Sequence, residues 1–209
     1  MYPSSIARLV QAGLVVSALF TLTACSGGGG GGTAAAAPET LVYSRLAGGQ
    51  SDLYLINTDG TGLTPLATGP DYEDFGGIAP DGRVIFTRDV GGTQGDVYSV
   101  RRDGTGLTPL ANSVAHEAYA GLTPAGRVII YRPGAPNQLF SINTDGSGLV
   151  LLASSTDSIR VWGITPGGRV VFSLDNSLQI RHDLYSVSAD GTGLVPLANT
   201  AYREVYAGM

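Results

Sequence analysis

Few side chains in this 209-residue sequence belong to the types that carry out chemistry. Cys25 is the single cysteine, which rules out an internal disulfide framework and any cysteine-based metal cluster. His116 and His182 are the two histidines. Either could act as a base, but no partner group is identifiable for them, so a solvated loop histidine is the simpler reading. A nucleophile elbow of the Gly-x-Ser-x-Gly type is missing, as is a Gly-rich phosphate loop ending in Gly-Lys. The run Asn57-Thr58-Asp59-Gly60 faintly resembles a calcium loop, but Arg102 and Ala189 precede the aspartate in its counterparts, leaving one carboxylate per loop. An Asp-Gly hairpin turn accounts for it better. No catalytic residue, metal ligand or cofactor is therefore expected, and the one site of defined chemistry is the thiol of Cys25.

Arg8 precedes an apolar run from Leu9 to Ala24, broken only by Gln11 and small or hydroxyl residues, which is the layout of an export signal. The run is shorter than the roughly 20 apolar residues a comfortable transmembrane helix needs. It ends in Leu22-Thr23-Ala24-Cys25, which resembles the lipobox of bacterial lipoproteins. That resemblance implies cleavage before Cys25, a diacylglyceryl group on its thiol, acylation such as palmitate on the new N-terminus, and a membrane-held place in the cell envelope. Ser26 follows in place of an aspartate, which in that family leans toward the outer membrane. Next come Gly27 to Gly32, Thr33, four alanines and Pro38, a flexible tether reaching on the order of 20 Å over about a dozen residues. The expected organisation is a signal peptide over 1–24, lipidated cysteine and tether over 25–39, and one domain over 40–209. All 12 basic residues are arginine against 17 acidic ones, and loss of Arg8 takes the net charge from −5 to −6. No nucleic-acid partner is expected from that balance.

From Thr40 onward the chain repeats. Asp-Gly recurs at Asp59-Gly60, Asp103-Gly104, Asp145-Gly146 and Asp190-Gly191, with periods of 44, 42 and 45 residues. A second marker, Pro80-Asp81-Gly82-Arg83, Pro124-Ala125-Gly126-Arg127 and Pro166-Gly167-Gly168-Arg169, places its last glycine 22 residues beyond the Asp-Gly glycine each time. Short apolar runs such as Val84 to Thr87 and Val128 to Tyr131 lie between these turns, a strand signal. Four strands per unit are expected, and in the second unit they are 74–79 (A), 83–88 (B), 96–101 (C) and 107–111 (D). Pro65, Pro109 and Pro196 put D at an edge, because proline cannot donate to a ladder.

Antiparallel four-stranded units of this length describe an all-β fold, a β-propeller. The runs Asp52-Leu53-Tyr54-Leu55-Ile56-Asn57-Thr58-Asp59-Gly60 and Ala79-Pro80-Asp81-Gly82-Arg83-Val84-Ile85-Phe86 resemble the TolB-like, WD-type propeller repeat. The low-density-lipoprotein-receptor type of propeller repeat has a similar strand, so the family stays open between them. The first unit lacks strand A, and the chain ends in an isolated strand A, Glu204 to Met209, with Gly208 in register with Gly77, Gly121 and Gly163. A ring of four blades closed by the C-terminal strand is expected. A truncated arc of a larger propeller is the other reading.

Tyr54, Tyr98, Phe140 and Tyr185 recur on strand C and are expected to pack between blades. Trp162 stands on a strand A where other blades have Gly76, Ala120 and Ala207, either plugging the channel or offering a ligand platform. The A-B and C-D turns are uniform, whereas the D-A and B-C loops diverge. Recognition usually sits on divergent loops of a rigid scaffold. Candidate contacts with a ligand, an envelope protein or a glycan are therefore Tyr72, Glu73, His116, Glu117, Trp162, Arg181, His182, Tyr202 and Arg203. The function expected is a non-catalytic binding module on a membrane-anchored envelope lipoprotein. An envelope hydrolase on a propeller scaffold and a fragment without ligand are the alternatives.

Overall fold

The computed structural model describes residues 39–92, 94–176, 182–200, 202, 204, 207 and 208, with the backbone alone of 15–20 and 181. Every element among them is a β-strand. Blade one holds β1 (Val15–Phe20), β2 (Thr40–Ala47), β3 (Gln50–Asn57) and β4 (Thr64–Ala67). Blade two holds β5 (Tyr72–Ile78), β6 (Val84–Val90), β7 (Gln94–Val100) and β8 (Thr108–Ala111). Blade three holds β9 (Ala118–Leu122), β10 (Val128–Arg132), β11 (Asn137–Ile142) and β12 (Val150–Ser155). Blade four holds β13 (Ser158–Ile164), β14 (Arg169–Asn176), β15 (Arg181–Ser188) and β16 (Val195–Ala198). Each blade is an antiparallel A-B-C-D meander, and one parallel bridge, Ser51 to Tyr72, links the first two blades.

Local chemistry fixes the turns. In each Asp-Gly-Thr/Ser-Gly turn the aspartate accepts from the backbone and hydroxyl of the residue two places on, as Asp59 does from Thr61 at 2.9 and 2.7 Å. These bonds hold the carboxyls of Asp59, Asp103 and Asp145 below the usual range, the hydroxyl contributing most. The arginine of the second marker ties its blade together. Arg83, Arg127 and Arg169 donate Nε to a strand C serine (Ser99, Ser141, Ser186) and Nη2 to a glycine carbonyl of the C-D turn (Gly106, Gly148, Gly193). Arginine recurs there because a planar, five-donor fork spans three strands at once.

The core lies between blades. Leu53, Leu66, Val84 and Phe86 join blades one and two, Ile85, Val97, Leu110 and Val128 join two and three, and Ile129, Leu139, Leu152 and Phe172 join three and four. Three strand C aromatics stack on strand B of their own blade, Tyr54 on Tyr43, Tyr98 on Phe86 and Tyr185 on Phe172, with centroids 5.6–5.7 Å apart, and Tyr98 and Tyr185 also pack against the clusters between blades. Strand A glycines admit the next blade. A Cβ on Gly121 would lie 2.7 Å from Ile164 Cδ1, and one on Gly77 3.0 Å from the Tyr119 hydroxyl.

Two features differ from expectation. Strands A, B and C run farther toward the divergent rim, so Tyr72 and Glu73 belong to β5, and Arg181 and His182 to β15, and not to loops. The cause is pairing across the strands, Glu73 with Arg88 and His182 with Asp175. On the outer edge of β2, where the C-terminal segment was expected, stands β1, paired antiparallel from Val15↔Ser44 to Phe20↔Thr40. Of that C-terminal segment, Glu204, Ala207 and Gly208 are described and lie outside any strand. Cys25, the tether up to Pro38 and Arg203 lie outside the described residues.

Candidate functional site

The divergent rim is built from the ends of strands A, B and C and the loops that join them, and two of its tyrosines are exposed. Tyr72 is 44% exposed, and Tyr202 80%. His116 is also exposed at the surface, with its Nδ1 accepting from the Gly95 amide at 2.8 Å, so its proton sits on Nε2. Glu73 and Glu117, expected as surface contacts, are closed to solvent. A partner would not touch them.

Both glutamates instead form buried ion pairs. Arg88 Nε lies 2.9 Å from Glu73 Oε1, and Arg132 Nε 3.0 Å from Glu117 Oε1. Each pair has an aspartate of the preceding blade beside it. Burial pushes the Glu73 carboxyl up against the pull of Arg88, and Asp52 adds to the rise. Asp96 is raised first by burial and then by the neighbouring Glu117 carboxyl. Sequence reading missed these sets, although their signal is present as a carboxylate followed 15 residues later by arginine, Glu73 to Arg88 and Glu117 to Arg132.

The Asp96 shift has a sign that can be measured. Its folded pKa lies above the unfolded value of about 3.9, so the folded state holds more protons, and stability falls as pH rises through that window. Asp96→Asn keeps the shape and removes the charge. Its melting temperature is expected to exceed the parent's at neutral pH, with the gain vanishing in acid. A variant less stable than the parent at neutral pH would assign Asp96 a favourable charge instead.

Trp162 sits in a β-bulge between Val161 and Gly163, the same place as Gly76 in β5 and Ala120 in β9. Its Nε1 donates to Ser173 Oγ at 3.0 Å, Ser173 donates to Asp175 Oδ1 at 2.7 Å, and His182 Nδ1 lies 3.1 Å from that same oxygen. The carboxylate stands between the hydroxyl and the imidazole. In that order the imidazole cannot take the serine proton, so no nucleophile is activated. No group of three or more metal-ligating residues occurs among the described residues.

The uniform face carries two clefts, of about 530 Å³ beside Asp81, Arg83, Arg101 and Asp103, and about 470 Å³ beside Asp81, Asn143, Thr144 and Asp145. The aspartates that line them are engaged within the protein, whereas the Nε of Arg102, also in the wall of the first, is buried without a hydrogen-bond partner. Asp81 accepts from the Arg83 amide and the Thr144 hydroxyl, and Asp103 from Thr105.

The chain matches no protein-family profile and no curated protein. Among solved structures it resembles a TolB from Agrobacterium tumefaciens, with TM-score 0.55 and 19% identity over 76% of this chain and 60% of that one. One of two prolyl endopeptidases gives TM-score 0.59 and 13% identity, covering 76% of this chain and 24% of the enzyme. An oligogalacturonate lyase from Vibrio parahaemolyticus gives TM-score 0.53 and 12% identity over 75% and 48%. These likenesses show the fold, a TolB-like β-propeller. The chain spans 60% of the A. tumefaciens protein and less of the others.

Proposed function

We propose that this protein is a lipid-anchored envelope protein whose propeller is a non-catalytic docking module, held to the membrane through Cys25 by a Gly/Ala tether. The observation that carries the docking role is the contrast between the two faces. The repeated turn aspartates and the arginines Arg83, Arg127 and Arg169 of the uniform face are engaged in internal hydrogen bonds, whereas Tyr72 and Tyr202 stand exposed at non-repeating positions of the rim. Exposed tyrosines on a rigid scaffold supply contact area at low entropic cost. A protein or glycan of the envelope is the partner this rim suits, and TolB-like neighbours support that class.

In a bacterium that processes lipoproteins, the chain is expected to enter the detergent phase and take up labelled fatty acid, and Cys25→Ser to do neither. Tyr72→Ala with Tyr202→Ala is expected to abolish capture of a partner from envelope extract while shifting the melting temperature by only a few degrees. Unchanged membrane association of Cys25→Ser would refute the anchor. Capture that survives the tyrosine variant would move the docking site off this rim.

A further inference from the structure

The C-D turn of blade two breaks the repeat at two adjacent positions. Blades one and three have Asn57-Thr58 and Asn143-Thr144 before the turn aspartate, and blade four has Ser188-Ala189, whereas blade two has Arg101-Arg102. In blades three and four the first of these residues serves the recurring arginine of strand B. Arg127 Nη1 donates to Asn143 Oδ1 at 2.9 Å, and Arg169 Nη1 to Ser188 Oγ at 3.1 Å. Arginine has no acceptor to offer, so Arg101 cannot do this for Arg83. Arg83 keeps its bonds through Nε to Ser99 and through Nη2 to Gly106 and Thr108, and its Nη1 is left without a hydrogen-bond partner among the described residues. A second guanidinium stands where the repeat has an acceptor.

All three arginines line one cleft of about 530 Å³, together with Asp81, Gly82 and Asp103. Three cations against two carboxylates leave an excess of one positive charge, in a chain whose net charge is −5. The carboxylates are occupied elsewhere. Asp81 Oδ1 accepts from the Arg83 amide and Oδ2 from the Thr144 hydroxyl, and Asp103 Oδ1 accepts from the amide and hydroxyl of Thr105. Arg102 is held in place, because its Nη2 donates to Thr40 Oγ1 at the start of β2, yet its Nε is buried without a hydrogen-bond partner. An unmade buried donor is costly, and a bound acceptor removes that cost. Arg101 is exposed and donates no side-chain hydrogen bond among the described residues. Its guanidinium rests on Gly106, where a Cβ would stand 2.6 Å from Nη1, and the carbonyl of the same glycine accepts from Arg83 Nη2 at 2.5 Å. The two side chains therefore meet at Gly106.

We propose that this cleft binds a phosphate monoester, in the form of a sugar or polyol phosphate. The phosphate takes the acceptor's place beside Arg83 Nη1 and receives hydrogen bonds from Arg101 and from Arg102 Nε. A carboxylate has two oxygens to offer, whereas the three terminal oxygens of a phosphate match three arginines, and the guanidinium fork suits them. A bare phosphate fills a small part of the cleft, whose volume is that of a site for a larger ligand, so room remains for the esterified group. Asp103 Oδ2 accepts no hydrogen bond among the described residues and is available to a hydroxyl of that group. Its charge also disfavours a second phosphate. This site lies at the opposite end of the blades from the docking rim and does not depend on it.

The test is calorimetric titration of the purified full chain with glucose 6-phosphate, inorganic phosphate, glucuronate and glucose. Glucose 6-phosphate is expected to bind saturably and about tenfold or more tightly than the other three. Arg101→Asn installs the residue of blades one and three and restores an acceptor to Arg83. It is expected to weaken glucose 6-phosphate binding about tenfold or more, while melting at or above the parent's temperature without ligand. Arg102→Thr, the residue of the same two blades, is expected to weaken binding likewise. Unchanged affinity in Arg101→Asn, whatever Arg102→Thr does, overturns the site, and so does the lack of saturable binding by either phosphate probe. Equal or tighter binding of glucuronate overturns phosphate as the acid, and equal binding of inorganic phosphate overturns the esterified group. Binding confined to phosphatidylglycerol vesicles and lost in both variants places the phosphate on a lipid and overturns a soluble ligand.

Discussion

Arg132→Ala is expected to lower the free energy of unfolding by about 3 kcal/mol, the low end of the range for breaking a buried ion pair. Glu117 has no exposed surface, and once Arg132 is gone the Ser113 hydroxyl and amide are left as donors to its carboxylate, with the Asp96 carboxyl beside it. The low end applies because the Arg132 side chain is 29% exposed, so water already screens part of the interaction. Urea melts with an unchanged m-value would measure the loss as stability and not as a change in the denatured state.

The third boundary supplies the control. Converting Asp96, Glu117 and Arg132 to Gln, Ile and Leu installs the set found at Gln138, Ile159 and Leu174, where the same backbone places are held by packing. Replacing a whole buried ion pair by apolar side chains of similar volume is often neutral or stabilising. The triple variant is therefore expected to melt close to the parent, although it contains the substitution of the residue whose loss alone is costly. A triple variant as unstable as Arg132→Ala would mean that the charged set contributes net stability here.

The blades were legible because turn requirements are local: Asp-Gly-Thr-Gly and Pro-x-Gly-Arg state their backbone needs in consecutive residues, and their spacing states the strand lengths between them. The rim was not. Polarity marks Glu73 and Glu117 as surface residues, and only the arrival of a neighbouring blade with Arg88 or Arg132 in reach makes them interior. Tyr72 and His182 were read as loop residues for the same reason, since their strands are prolonged by cross-strand partners far away in sequence. Trp162 was visible as an odd residue at a repeated position. That the position is a bulge depends on strand register, which no single segment encodes.

Leu139→Ala is expected to cost about 2–5 kcal/mol, the range for truncating a buried leucine and leaving a cavity. Leu139 is fully buried within the cluster of Ile129, Leu152, Ile159, Val170, Phe172 and Val187, contributed by two blades. Strands on both sides hold that wall in place, Tyr131 and Ala153 lying opposite Leu139 on its neighbours, so the space cannot collapse readily. Leu53 and Val97 occupy the same place in the first two blades and are equally closed to water, whereas Leu184, their counterpart in the fourth, is half-buried. Packing against a next blade is the difference between them. Leu184→Ala is therefore expected to cost less than Leu139→Ala, about 1 kcal/mol, because its side chain is half-buried. A loss at Leu184 as large as that at Leu139 would mean that this side chain is covered as fully as its counterparts in the other blades.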